Sequence, residues 1–545
     1  MYDFANSAYQ NSMALWLPLL ANTMARIAAT GDNAVRDCVR NCEDGVCEPQ
    51  EGATVCRACV VGEGRKLWTN ATQELSKFES STVSFFGERE SVSFALFVIS
   101  ISVLFQALVM VTFGAWADYY DYRKKGLAVT TAVGGILCMG FLALTDPSMY
   151  LAAAWLTIFS NGAFGLSVVY YNAFLPILVS EHPEVAGAPP QRLDATAREI
   201  SDYMSNVGYA AGYLGSLINV LIAIVMMLLI GSRQDSDSLA SPMNNLAERI
   251  GIFWCGLWWA VFSLWTFRFL KPHGGMTLGE GQWLWTKGWT STASTLAAAR
   301  AYPQTFKFFV AYFLYSDSYS TMASVGILIF SELLCMPTFT LALVYIEVMI
   351  FAIVGNFLAL YLQRRWGSST KHMILYCLAI YVAMTAWGML GMIPASPVGL
   401  KQGWEAYAFG AVHGLLIGPV QSYSRSLYAD LLIPGQEAEF YALYEISDKS
   451  SSWIGPMVVA EIIRLTGNYR LGFLYLFFML LVPAALLSRV DRDKGRAEVL
   501  AMAPKTGTPE ENQSLPYPPT VAGAVPVAFA GVPMVAVGTV SPHAP

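Results

Sequence analysis

The stretch Ser91 to Ala117, SVSFALFVISISVLFQALVMVTFGAWA, carries no charged side chain. It runs straight into Asp118-Tyr-Tyr-Asp121-Tyr-Arg123-Lys124-Lys125, and a second uncharged stretch, Gly126 to Thr145, follows. A helix needs about 20 mostly apolar residues to cross a bilayer, so these residues read as span, tight charged loop, span. Working outward, Phe4 to Ala25 is an earlier span. Pro147 to Ser180 (ending near Pro176), Tyr203 to Ser232 and Ile250 to Phe267 make six. A Gly-, Thr-, Trp- and Ser-rich divider follows. Six more spans come after it: Phe308 to Phe330 around Asp317, Pro337 to Leu362 around Glu347, Met373 to Ile393, Ala406 to Tyr423, Ile446 to Leu465 and Leu471 to Ser488. The eleventh is the weakest, with Asp448, Lys449, Glu461 and Arg464 inside it.

The expected architecture is an all-α polytopic membrane protein of twelve spans in two six-helix halves. Residues 1–270 form the first half, 271–305 a central loop, 306–490 the second half and 491–545 a disordered Pro-, Val-, Ala- and Gly-rich tail. Composition agrees: 55% of residues are hydrophobic and 13% charged, against about 25% charged in soluble domains. A net charge of −6 without a basic stripe argues against nucleic acid as a partner. The start, Met1-Tyr2-Asp3, has no basic region of the kind that opens a cleavable signal peptide.

Lys and Arg set the expected orientation. Arg123, Lys124 and Lys125 follow span two, Arg268 and Lys271 span six, and Arg364, Arg365 and Lys371 span eight; Arg489, Arg492, Lys494 and Arg496 follow span twelve. The short loops on the other side hold only Asp146, Lys401 and Arg470. Both termini are therefore expected in the cytosol, and loop 26–90 in a lumen. Cys38, Cys42, Cys47, Cys56 and Cys59 in that loop are expected to form disulfides, one thiol being left over. A zinc site is the alternative. Asn70-Ala-Thr72 is a glycosylation sequon on the same side.

Gly114 permits close helix approach. Asp118 stands at a helix end, where a carboxylate suits a neighbouring N-terminus, and Arg123, Lys124 and Lys125 can pair with acids on adjacent helices. Together they read as a gate latch, the alternative being a positive-inside loop that only sets topology. The spacing resembles the loop signature of the major facilitators, which are built of two such halves. The matching loop in the second half, Gln363-Arg364-Arg365-Trp366-Gly367, lacks the acid.

Further blocks narrow the resemblance. Tyr2-Asp-Phe-Ala-Asn-Ser-Ala-Tyr9, Tyr171-Asn-Ala-Phe-Leu-Pro176, Gly208-Tyr-Ala-Ala-Gly-Tyr-Leu-Gly215, Phe313-Leu-Tyr-Ser-Asp317, Ser424-Arg-Ser-Leu-Tyr428 and Lys449-Ser-Ser-Ser-Trp-Ile-Gly-Pro456 occur in order. They resemble the autophagy-related vacuolar amino-acid effluxer family over roughly residues 2 to 490. The resemblance implies export of amino acids from the vacuole or lysosome lumen to the cytosol, in recycling of autophagic breakdown products. Members of that family carry a cytosolic segment ahead of the first signature, and this chain starts inside it; a truncated N-terminus or a short form is expected.

Asp317 and Glu347 sit in mid-span, where a charge is costly unless it faces a cavity or a partner. They are candidates for proton or substrate ammonium binding, with Asp3 and Asn6 of the first span behind them. Arg425, followed by Asp430, Glu437 and Glu439, is a second gate candidate. Lys449 beside Asp448 reads as a local ion pair or as a partner for a substrate carboxylate. Gly208, Gly212 and Gly215 read as close packing. No cofactor, metal or enzymatic centre is expected: there is no nucleotide-binding G-x-x-x-x-G-K-[ST], no H-E-x-x-H and no nucleophile–base pair. A gradient should supply the energy. The alternatives are a carrier of another solute at a different membrane and a non-transporting receptor or scaffold.

Overall fold

The computed structural model describes residues 2–9, 24, 42–43, 46–47, 82–84, 88–231, 244–278, 283–297, 302–332, 334, 336, 338–432, 436–451, 454–466 and 468–502. The longer helices are α1 (2–9), α2 (Ser91–Phe113), α3 (Tyr122–Gly140), α4 (Tyr150–Asn172), α5 (Leu193–Gly231), α6 (Asn244–Phe269), α7 (Leu284–Ala297), α8 (Pro303–Glu332), α9 (Thr338–Trp366), α10 (Thr370–Leu390), α11 (Gly403–Ala429), α12 (Glu437–Ser451), α13 (Ile454–Thr466), α14 (Leu471–Ser488) and α15 (Arg492–Met502).

Among the described residues, eight helical segments are long and apolar enough to cross a membrane. They lie on α2, α3, α4, α5, α6, α9, α10 and α14. Leu104, Val129, Ile136 and Leu264 point outward, as a lipid-facing surface requires. α8 and α11 have the length but are more polar, and their polarity is turned inward: Tyr312, Ser316, Asp317, Ser318 and Tyr319 on α8, and Ser422, Ser424, Arg425 and Ser426 on α11, are buried.

Within the first half α4 packs on α2 and α3, and α3 on α6. Within the second, α11 packs on α9 and α10, and α14 on α8 and α10. The halves meet along two seams, α5 against α9 and α11, and α12 against α2 and α4. α1 lies hard against α5: a Cβ on Gly208, Gly212 or Gly215 would run into Asp3, Ser7 or Phe4 respectively.

Three expectations change. The eleventh span is two helices, α12 and α13, and begins at Glu437 rather than Ile446. The central loop contains a helix, α7, whose Gly288 backbone presses on the Val111 and Thr112 carbonyls while Trp116 donates to Leu284 O at 2.9 Å. The segment expected to be a disordered tail opens with α15, anchored by Arg492 Nε on Asp430 at 2.6 Å and by Arg496 on Asp194 at 3.1 Å. Val499 is buried beneath it. Burying Asp430 with two guanidiniums satisfies it, and this orders residues that composition alone reads as solvated. Residues 503–545 lie outside the described residues.

Of the cysteine loop, Cys42 and Cys47 face one another in a two-residue antiparallel pair. Their side chains, Cys38, Cys56, Cys59, Asn70 and most of the first span lie outside the described residues.

Candidate functional site

The Gly114 loop continues α2 as a 3-10 turn, Gly114–Asp118. A Cβ on Gly114 would stand 2.7 Å from the Ala442 Cβ, so glycine sets the approach of α12. The Asp118 carboxylate accepts the Ala438 N–H at 2.9 Å and the Glu439 N–H at 3.0 Å. Those amides belong to the first turn of α12, which have no partner within the helix, and the carboxylate also meets the positive end of the helix dipole. Arg123 Nη2 bridges Asp118 at 3.0 Å and Glu437 at 3.1 Å. These three side chains are nearly sealed from solvent, and they join first half to second. The basic trio then divides. Lys124 donates to the Leu270 carbonyl just past α6. Lys125 pairs with Asp121 in the open, where such a pair contributes little.

The acid missing from the second loop is supplied by the first half. Asp202, on α5, accepts Gln363 Nε2 at 2.6 Å, Thr370 Oγ1 at 2.7 Å and Ser426 Oγ at 2.5 Å. Ser426 also lies 2.9 Å from Ser201. Nothing near Asp202 in sequence marks it, because its partners are more than 160 positions away.

One layer further in, Arg425 on α11 reaches into the first half. Its Nη1 contacts Asp3 Oδ1 at 3.3 Å and Asn172 Oδ1 at 3.4 Å, its Nε Ser205 Oγ at 3.0 Å and its Nη2 Ser205 O at 3.1 Å. The Tyr171 hydroxyl donates to the second Asp3 oxygen at 2.7 Å. Asn172 donates to Glu445 Oε1 at 2.8 Å. The Tyr209 ring lies 4.5 Å from the guanidinium, an arrangement that favours a cation over the ring face.

Above Tyr209 a cavity of about 220 Å³ opens between the halves. Its lining mixes the polar Ser7, Tyr209, Tyr213, Tyr319, Ser320, Tyr345, His413 and Gln421 with the apolar Phe330, Leu341, Val344, Val348 and Phe409. Tyr213 donates to Gln421 at 2.8 Å. From Gln421 to Phe409 along α11 is about 18 Å at roughly 1.5 Å per residue, directed away from the Gly114 loop. The bundle is thus closed at the loop end.

The mid-span acids do not line this cavity. Asp317 turns to α13, accepting the Gly455 N–H at 3.0 Å and the Thr321 hydroxyl at 3.4 Å. Glu347 stands behind the cavity wall near Gly410, and its Oε2 is buried without a hydrogen-bond partner among the described residues. Asn6 is buried and accepts from Ser7, which does line the cavity. Asp3 belongs to the closed layer rather than to the cavity wall. Asp448 lies one shell behind Tyr319: Tyr312, Ser316 and Tyr319 all donate to it. The side chain of Lys449 lies outside the described residues. Among the described residues no group of three or more His, Cys, Asp or Glu side chains could hold a metal ion.

Residues 1–500 match the family model described as "Vacuole effluxer Atg22 like". The chain is 31% identical over 464 residues to "Autophagy-related protein 22" of Coccidioides immitis, covering 76% of this chain and 75% of that one. It is 32% identical over 484 residues to "Autophagy-related protein 22-1" of Penicillium rubens, covering 78% and 80%. Among solved structures, the major facilitator transporter FucP in the outward conformation matches with a TM-score of 0.52 at 14% identity, over 73% of this chain and 90% of that one. The proton:xylose symporter XylE bound to 6-bromo-6-deoxy-D-glucose matches with a TM-score of 0.51 at 13% identity, over 91% and 99%. The fold is that of the major facilitators, with which a count of twelve spans is consistent, and the chain is a transporter rather than an enzyme and belongs to the vacuole effluxer Atg22-like family.

Proposed function

We propose that this protein exports amino acids, chiefly those with apolar side chains, from the vacuole lumen to the cytosol, with the Gly114 loop and both termini on the cytosolic side. The observation that carries the reading is the mixed polar and apolar lining of the cavity. Its hydroxyls and amide suit the polar end of a small molecule, and Phe330, Leu341, Val344 and Phe409 suit an aliphatic or aromatic side chain. The family model, named for vacuolar efflux, supports the compartment and direction.

In this reading the closed loop end is the lumen-facing state. Substrate enters the cavity, the contacts of Asp118, Asp202 and Arg425 across the halves release, and the halves rock to open the cytosolic side. The four groups of basic residues at one end of the spans support that orientation. Glu347 is the group we assign to proton coupling. Its Oε2 is buried without a hydrogen-bond partner among the described residues, and its position beside the cavity wall lets a proton carried there respond to occupancy.

The test is efflux of preloaded labelled amino acids from vacuoles isolated with and without the protein. Loss of efflux of apolar amino acids in its absence, restored by wild type, supports the reading. Unchanged efflux across all amino acids moves the substrate to another solute, and purified protein binding none of them removes amino acids altogether.

A further inference from the structure

The cavity walls hold no carboxylate, lysine or arginine among the described residues. A zwitterion resting there has no formal charge to meet. Charges lie one layer below: Tyr209, which lines the cavity, has the Arg425 guanidinium 4.5 Å from its ring. Resting on the amino-acid reading above, we propose that Arg425 receives the substrate carboxylate and Glu445 its ammonium, and that the Asn172 side chain occupies that place in the closed state as an internal stand-in.

The geometry is specific. The Asn172 amide oxygen accepts from Arg425 Nη1 at 3.4 Å and its NH2 donates to Glu445 Oε1 at 2.8 Å. One small group thus presents an acceptor to the guanidinium and a donor to the carboxylate, as the two ends of an amino acid would. The amide orientation follows from this network, since the reverse would set its NH2 against Arg425 and its oxygen against Glu445. Asp3 also contacts Arg425 Nη1, at 3.3 Å, while Ser205 holds Nε and Nη2.

The division between halves gives this exchange a consequence. Asn172 and Asp3 belong to the first half, Arg425 and Glu445 to the second. A zwitterion held by Arg425 and Glu445 replaces Asn172 and Asp3, so binding removes two of the first-half contacts of this layer and leaves Arg425 on Ser205. A ligand moves a conformational equilibrium only by its differential affinity for the two states, and exchange of partners at Arg425 and Glu445 supplies that difference.

The experiment uses purified full-length protein in liposomes, with leucine as the probe. Leucine methyl ester lacks the carboxylate charge and 4-methylvalerate lacks the ammonium. Gate closure is read by oxidative cross-linking of a Ser201→Cys/Ser426→Cys pair, whose hydroxyls lie 2.9 Å apart across the halves. Leucine should slow cross-linking at least threefold and compete for transport at least tenfold better than either analogue. Asn172→Ala, which removes the stand-in, should slow cross-linking without ligand and tighten leucine binding severalfold, because less must be displaced; a merely damaged structure would bind more weakly. Equal potency of the ester and leucine, or weaker binding by Asn172→Ala, overturns the exchange and leaves amino-acid transport standing. Absence of any transport or binding of leucine and other apolar amino acids overturns both.

Discussion

Asp3 and Arg425 stand 422 positions apart in the chain, yet their carboxylate and guanidinium oppose each other at 3.3 Å in a layer almost closed to solvent. Both also press on Gly208, where a Cβ would strike each of them. Two charges and a missing side chain make one joint between the halves. An ion pair buried this deeply is not itself strong evidence of stability, but breaking it by removing one partner typically costs about 3–5 kcal/mol. The joint is therefore stiff while intact and sensitive to what competes for it.

Gly208→Val should abolish efflux, because the added methyl groups overlap the Asp3 and Arg425 side chains. Gly274→Ala is the control, since nothing lies within 4 Å of its Cβ position. Efflux from vacuoles at equal protein level compares the two. Normal efflux by the valine variant would show that α1 and α5 need not approach so closely.

Asp118→Asn should lower efflux at least tenfold. The amide keeps only one oxygen for two α12 amides and leaves Arg123 with Glu437 alone. Asp118→Glu should keep part of the activity. The same assay decides, and an unaffected Asn variant would separate this latch from the transport cycle.

Val348→Trp should fill the cavity and stop transport while the detergent-purified protein melts within a few degrees of wild type. Val348 lines the open space, so the larger ring takes up room meant for substrate. Retained transport would place the substrate elsewhere.

Glu347→Gln should retain transport of amino acids but flatten its response to luminal acidification, measured in vesicles with acidic against neutral interiors. Asp317→Asn should instead lower thermal stability, since Asp317 accepts the Gly455 amide at the start of α13. A pH response lost in Asp317→Asn and kept in Glu347→Gln would reverse this assignment.

Arg492→Ala should lower the melting temperature by several degrees, because Asp430 loses its 2.6 Å contact in a poorly solvated place. No shift in melting temperature would show that α15 is not tied down through Asp430.

The spans were legible where they face lipid, because a lipid-facing helix needs an unbroken apolar run: α2, α3 and α14 follow the sequence pattern closely. The boundaries failed where helices leave the bilayer or turn inward. α5 starts at Leu193, ten residues before the expected Tyr203, because Asp194, Arg198 and Asp202 occupy its first turns and find partners in other parts of the fold. α12 begins at Glu437, and its buried Glu437, Glu439 and Glu445 defeat any search for uncharged runs. Of the site, the Gly114 loop could be read because its residues lie within a dozen positions. Asp202, Asn172 and Asp448 could not, because their meaning rests on side chains more than a hundred positions away.

The eleventh span offers two helix beginnings where an unbroken helix has one. Each is met by an aspartate from a different half: Asp118 of the first at α12, Asp317 of the second at α13. In the rocking cycle proposed above, the segment is pinned at both starting points to bodies that part company. On that proposal α13 stays with its own half through Asp317, while α12 lets go of Asp118 and becomes a lever whose moving end is the gate.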